Sequence, residues 1–441
     1  MADSTRTTEA PRGPVSLSAW RKSVLLFVFC FAQFIDCFST TALIAAAPPI
    51  SNQLHIVNGA SVWLISAYQL TFAALLLSSG RLSDLYSPKW VFIIGSLVMS
   101  FTSLGSGFIR AQVPLLILRA LTGIGAALNI PSAMHIIVHM YPEPKVQSRA
   151  IAAFAGSAAV GNVIGLIIGA ALVTYISWPW VFYFMAIVCF AMAAMVTILL
   201  PSWRNPYTEG ESSYRKLGRL DPIGVTSVTA ALVLFVFAVT SGSIEGWRNA
   251  RTIAPIIISG ALIAFFFLWE PRLPENAAAV PPKMWKYENF TLLMIISLQP
   301  FMWWASVQLT FSLYYQDVLQ WSTIITAIHF LPLGIIAFVA MALSTVLRDK
   351  FPLKWIIIGG ELLAIAGTIL LPFAETKEDY WRFAFPGFIL GTAGMALVFA
   401  TNNIALFAVT PPEVAAMVGA MFSSALQLGS AAGTAIVTSI Q

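Results

Sequence analysis

The chain has 441 residues, of which 58% are hydrophobic and only 10% are Asp, Glu, Lys or Arg. Its mean hydropathy is +0.82, whereas soluble proteins carry roughly 25% charged residues. That balance excludes a soluble fold and intrinsic disorder, so the solvent is lipid. The net charge of +5 does not indicate nucleic acid, because the basic residues are scattered over short loops rather than gathered in a patch.

The N-terminus from Met1 to Trp20 is polar, and the apolar stretch after it is too long for a signal-peptide core, so it reads as a retained first span. A helix needs about 20 apolar residues to cross a bilayer. Unbroken runs of that length, unlike the alternating strands of a membrane β-barrel, predict thirteen helices. They lie near 23–47, 61–79, 90–109, 113–140, 150–176, 179–200, 222–242, 252–270, 290–314, 322–346, 353–372, 381–404 and 413–440. Cys30, Cys37 and Cys189 all fall within apolar runs, so no disulfide framework is expected.

Cytosolic loops retain positive charge. The N-terminus and every second loop after it hold 18 of the 24 Lys and Arg residues, and the alternate loops hold five. This places the N-terminus in the cytosol, together with the sequon Asn289-Phe-Thr291, which would be silent there. Thirteen spans leave Gln441 on the opposite side, at the end of an apolar helix, which leads to the expectation that a fourteenth span is missing.

The loop after span two, Gly80-Arg-Leu-Ser-Asp-Leu-Tyr-Ser-Pro-Lys-Trp90, has a counterpart after span ten, Thr345-Val-Leu-Arg-Asp-Lys-Phe-Pro-Leu-Lys-Trp355. Leu82/Leu347, Asp84/Asp349, Lys89/Lys354 and Gly95/Gly360 are all 265 apart, while Gly165/Gly429 and Gly169/Gly433 are 264 apart. The offset spans eight helices, which divides the chain into two related halves with two helices inserted between them. The expected organisation is a cytosolic segment (1–22), a six-helix half (23–200), a cytosolic loop (201–221), two inserted helices (222–270), a second cytosolic loop (271–289) and a five-helix second half (290–441). Related halves around a midplane site are the architecture of alternating access.

Several residues stand out along this frame. Asp36 is a mid-span carboxylate beside Cys37, Ser39, Thr40 and Thr41. It is either a proton carrier or a hydrogen-bonded packing residue. In the loop Gly80–Lys89, Asp84 can face the positive end of a helix dipole while Arg81 and Lys89 pair across a cytosolic gate; the bland alternative is a polar turn with inside-positive charges. Arg119 costs at least ~3 kcal/mol in a membrane unless it meets water or a partner. Its alternative is to snorkel outward, since it lies only ~9 Å along the helix at 1.5 Å per residue. Gly156, Gly161, Gly165 and Gly169 fall near one face of span five and allow close helix approach.

Phe301, Trp303, Trp304 and Gln308 sit mid-span on helix nine, away from the interface where tryptophans usually lie, and suit a mostly apolar pocket with a polar anchor. Glu361 is the second intramembrane carboxylate, matched by the repeat to Ser96 on a helix expected to be peripheral. No triad, metal-ligand cluster or phosphate loop is present, so neither enzymatic activity nor a cofactor is expected.

These motifs resemble the major facilitator superfamily. Gly80–Lys89 and its repeat at Asp349 and Lys354 are similar to the signature between its helices two and three, with Ser87 and Pro88 departing from the pattern. Leu115-Leu-Ile-Leu-Arg119-Ala-Leu-Thr-Gly123-Ile-Gly125 resembles the helix-four motif of proton-coupled members, where the arginine is held to help move the proton. The span-five glycines resemble the antiporter signature, with Leu166 and Ala170 in place of its usual proline and glycine. Asp36, followed at a longer than usual distance by Ala47-Pro48, resembles the first-helix aspartate of fourteen-helix drug:proton antiporters. The resemblance is to fungal members, which include exporters of aminotriazole and borate and low-affinity ammonium carriers.

The resemblance implies an all-α major facilitator fold of six, two and six helices in a monomer of the plasma membrane, with the vacuolar membrane as the alternative location. It implies proton-coupled export of small toxic or drug-like molecules, with uptake of a small nutrient or ion as the alternative. Asp36, Arg119 and Glu361 become the candidates for proton coupling. The partners are a small-molecule substrate, protons and the bilayer, without nucleic acid.

Overall fold

The computed structural model describes residues 17–56, 61, 63–201, 221–273, 282–348, 350–410 and 415–440. For some helical residues, including Arg81 and Asp84, it describes the backbone path alone. The described chain is helical, with no strand among the described residues.

The first six helices are α1 (Ala19–Leu54), α2 (Trp63–Leu85), α3 (Pro88–Phe108), α4 (Gln112–Met140), α5 (Pro144–Tyr175) and α6 (Pro179–Leu199). Two more follow, α7 (Pro222–Glu245) and α8 (Ala250–Trp269). The second half comprises α9 (Phe290–Ile296), α10 (Gln299–Leu313), α11 (Thr323–His329), α12 (Leu331–Arg348), α13 (Leu353–Leu370), α14 (Phe385–Ala408) and α15 (Ala415–Ile440). Twelve described segments are long and apolar enough to cross a bilayer, and α2 adds a shorter apolar stretch over Trp63–Leu76. These correspond to the thirteen predicted spans.

Proline starts the helices and also breaks two of the spans. Pro88, Pro144, Pro179 and Pro222 occupy first-turn positions, where a missing N–H costs nothing. Pro300 and Pro332 instead fall inside apolar runs and cannot donate to the preceding turn. The ninth span is therefore split between α9 and α10, and the tenth between α11 and α12. At the first break the Asn402 side-chain N–H groups donate to the carbonyl of Leu293 (3.0 Å) and to Ser297 Oγ (2.8 Å), satisfying groups that lipid cannot.

The two halves repeat the same pairings. α1 packs on α5 as α10 packs on α15, α3 on α4 as α13 on α14, and α2 on α4 as α12 on α14. Glycine makes the first of these possible. A Cβ at Gly161 would lie 2.8 Å from the carbonyl of Phe34, and one at Gly169 would lie 2.6 Å from Ala42. On α15, Gly429 and Gly433 are pressed in the same way against the backbone of Leu298 and Met302. Gly156 differs from the other three predicted packing glycines, because a Cβ there meets nothing within 4 Å.

The halves meet along α2–α15 and along α5 with α11 and α12. α7 lies over the first seam, touching α2, α15 and α8. Large apolar side chains such as Ile198 (79% exposed) and Phe27 (62%) cover the outside of the bundle, as burial in lipid rather than water requires.

Candidate functional site

Three helices of the first half converge on one polar cluster. Arg119 on α4 is fully buried. Its Nε donates to the carbonyl of Leu64 (2.9 Å), Nη1 to Ser39 Oγ (2.9 Å) and Nη2 to the carbonyl of Ser39 (3.1 Å). The guanidinium carbon also sits 4.7 Å from the centre of the Tyr68 ring, within cation–π range. Tyr68 in turn donates its hydroxyl proton to Asp36 Oδ1. Carboxylate, phenol and guanidinium thus form one buried chain, and Arg119 does not snorkel to the surface. Helix approach makes this geometry possible: a Cβ at Gly123 would collide with the Tyr68 carbonyl and the Thr71 hydroxyl, while Thr71 Oγ1 donates to the carbonyl of Ala120 (2.7 Å).

Tyr68 did not emerge from the sequence reading. The available signal was Tyr68-Gln69, a hydroxyl and an amide side by side in an apolar span, where polar groups turn inward. Gln69 does so as well, donating to Ser430 Oγ of the second half (2.7 Å).

The residue after Asp36, Cys37, faces a cavity between the halves. Phe301, Trp304 and Gln308 line its other side with Phe399, and Gln308 Nε2 reaches Asn162 Oδ1 of α5 at 3.4 Å. Trp303, predicted to line the cavity, points elsewhere. Its indole N–H donates to Thr368 Oγ1 of α13 (2.8 Å) and its ring lies against Gly391. Adjacent helical positions are about 100° apart, so Trp303 and Trp304 cannot share a face. Phe330, which lines the cavity, belongs to a cluster with Tyr315 and Phe388 that packs on Ala45, Leu166 and Ala170 of the first half.

Residues 29–434 match the Major Facilitator Superfamily. The chain belongs to that superfamily. It is 28% identical to the major facilitator superfamily multidrug transporter mfsC of Aspergillus fumigatus, over 95% of this chain and 79% of that protein. It is 27% identical to the puromycin resistance protein pur8 of Streptomyces alboniger (94% and 81%). It is also 25% identical to the low affinity ammonium transporter of Saccharomyces cerevisiae (95% and 81%). Among solved structures it resembles a peptide transporter in complex with sulfate, with a TM-score of 0.66 at 17% identity over 94% of this chain and 87% of that one. The inward-open xylose transporter of E. coli matches with a TM-score of 0.60 at 14% identity (95% and 90%). As a major facilitator, the chain is an integral multi-pass membrane protein and a secondary transporter, not an enzyme.

The remaining predicted positions in this major facilitator lie apart from the cluster. Lys89 does not reach across to the second half as the gate expectation required. It is buried and donates to the carbonyls of Thr197 (3.1 Å) and Leu200, at the C-terminal end of α6, where free carbonyls and the helix dipole attract a cation. Lys354, its repeat partner, is exposed and lies over the ring of Trp355. Gly80 faces Ala420 of α15, with a Cβ there 3.9 Å away. The side chains of Arg81 and Asp84, and Asp349 altogether, lie outside the described residues, as does most of loop 201–221. Glu361 sits on α13, which packs on α14 and α12. It joins neither the cavity nor the Asp36 cluster, and its Oε1 is buried without a hydrogen-bond partner among the described residues.

Proposed function

We propose that this major facilitator exports small toxic or drug-like molecules in exchange for protons, with Asp36 as the proton carrier. The observation that carries the proposal is the buried chain Asp36–Tyr68–Arg119, one residue away from the cavity wall at Cys37. A carboxylate can hold a proton, a phenol can relay it, and the guanidinium over the Tyr68 ring holds that relay in place. Because α1 contributes to both the cluster and the cavity, rotation of α1 as the halves rock would couple protonation to substrate release.

The multidrug and puromycin-resistance relatives support export. The ammonium transporter among the relatives supports a second reading, uptake of a small nutrient or ion, which the same cluster could drive. The charge bias of the loops supports a cytosolic N-terminus. We also propose a monomer of the plasma membrane, with Gly80, Arg81, Asp84, Asp349 and Lys354 setting the cytosolic gate, Lys89 tying the start of α3 to the end of α6, Gly161, Gly165 and Gly169 holding α5 on α1, and Glu361 as a secondary proton site.

The test is flux in vesicles prepared from a transporter-deficient host expressing the full chain, under an imposed pH gradient. Accumulation of a test drug in inside-out vesicles with an acidic lumen, lost when the gradient collapses, is the expected result. Accumulation in right-side-out vesicles with an acidic exterior would instead establish uptake.

A further inference from the structure

From the cavity wall we infer that the substrate is an uncharged molecule with a flat aromatic body and a paired hydrogen-bond donor and acceptor. It is read by insertion between the amides of Asn162 and Gln308. This rests on the transporter reading above and specifies its substrate class.

The wall has two parts. Phe301 lies 5.8 Å from Trp304 and 6.1 Å from Phe399, centre to centre, and Trp304 lies 6.4 Å from Phe399. The three rings form an apolar bay of the kind that receives aromatic bodies by offset or edge contact. Beside it, the amides of Asn162 and Gln308 meet across the two halves at 3.4 Å, beyond the usual 2.7–3.2 Å for N–H···O. Each primary amide carries two donors and an acceptor, and their mutual bond uses one donor and one acceptor. A ligand offering both kinds of group can replace that bond without leaving either amide unsatisfied.

Charge argues for a neutral ligand. No Asp, Glu, Lys, Arg or His is among the described residues lining the cavity. A cation could lie over the ring faces, but that attraction is smaller than the hydration it would surrender. Asp36, adjacent in sequence to the lining residue Cys37, is not among the lining residues and is engaged by Tyr68.

The cavity as it stands encloses about 60 Å³, against 300–1,000 Å³ for pockets that hold drug-sized ligands. A substrate must therefore part the halves to enter, and the amide pair is a tie directly across its path. Recognition and opening become the same event.

The experiment is equilibrium binding to the purified full chain in lipid nanodiscs, at one pH and without a gradient. The probes are two neutral aryl compounds, chloramphenicol and fluconazole, and a permanent aryl cation, tetraphenylphosphonium. The expected result is saturable binding of at least one neutral probe, with tetraphenylphosphonium at least ~10-fold weaker. Gln308→Leu and Asn162→Leu should each weaken the neutral probe roughly 3- to 10-fold, the loss of a neutral hydrogen bond. Gln308→Glu should strengthen the cation about 10-fold, a readout that a merely destabilised protein would not give. The inference is overturned if neither neutral probe binds, if tetraphenylphosphonium binds as tightly, or if both leucine variants bind the neutral probe as the wild type does. Because no gradient is used, failure of proton coupling leaves this result standing. Failure here, with gradient-driven transport still dependent on Asp36, removes the substrate class alone.

Discussion

Tyr68 donates its hydroxyl proton to Asp36 across the α1–α2 interface, with the two side chains 1% and 6% exposed. The carboxylate therefore has a fixed partner on a neighbouring helix, and any rotation of α1 against α2 must break or remake that bond.

Replacing Asp36 with Asn removes the titrating group at nearly constant volume and leaves a carbonyl to accept from Tyr68. Gradient-driven transport by Asp36→Asn should fall to background while the purified protein elutes as a single folded peak. Normal pumping by this variant would move the carrier role to Glu361.

Tyr68→Phe keeps the ring under Arg119 and deletes the hydroxyl. A hydrogen bond to a charged group contributes ~1.5–3 kcal/mol, so transport should drop roughly 10-fold or more and the melting temperature by a few degrees. Thermal shift and initial flux rates measure the two effects separately.

Arg119→Lys retains a cation but loses the planar fork that reaches Leu64 and both acceptors of Ser39. It should express and transport partially. Arg119→Ala leaves the Leu64 and Ser39 acceptors without their donors, each at a cost of ~1–3 kcal/mol, and should yield little monodisperse protein in fluorescence-detected size exclusion.

The span-five glycines should separate into two classes. Gly169→Ala forces a methyl into Ala42 and should destabilise by ~1–3 kcal/mol; Gly433→Ala, pressed on Met302 and Ser306, should do the same. Gly156→Ala has open space and gains up to ~1 kcal/mol of helix propensity, so it should melt no lower than the wild type. Equal losses at Gly156 and Gly169 would contradict the packing described.

The span pattern and the repeat were legible because both depend on hydropathy and spacing, which the sequence states directly. Arg119 was legible as costly, since a cation in an apolar run must find a partner, but not which partner. Tyr68 lies 32 residues from Asp36, and which faces of α1, α2 and α4 meet depends on helix rotation and on contacts such as that at Gly123. The same missing rotation put Trp303 into the cavity beside Trp304, although the two are about 100° apart. Lys89 was read through its loop, whereas its partners are carbonyls more than a hundred residues later, at the end of α6. Asn162 was passed over because its role exists only once α5 and α10 face each other.

α7 carries a further consequence for movement. Thr229 donates to the carbonyl of Ala74 (3.1 Å), mooring the helix to α2. Toward α15 it presents Val236 and Val233 in one apolar cluster with Ala431 and Leu428, a contact that carries no hydrogen bond among those four side chains. When the halves rock, α7 should travel with the first half while α15 slips beneath it. It would then act as a sliding gasket that keeps lipid tails out of the α2–α15 seam during the stroke. A disulfide joining α7 to α15 at positions 233 and 428 should stall turnover, and one joining α7 to α2 at 229 and 74 should leave the carrier cycling.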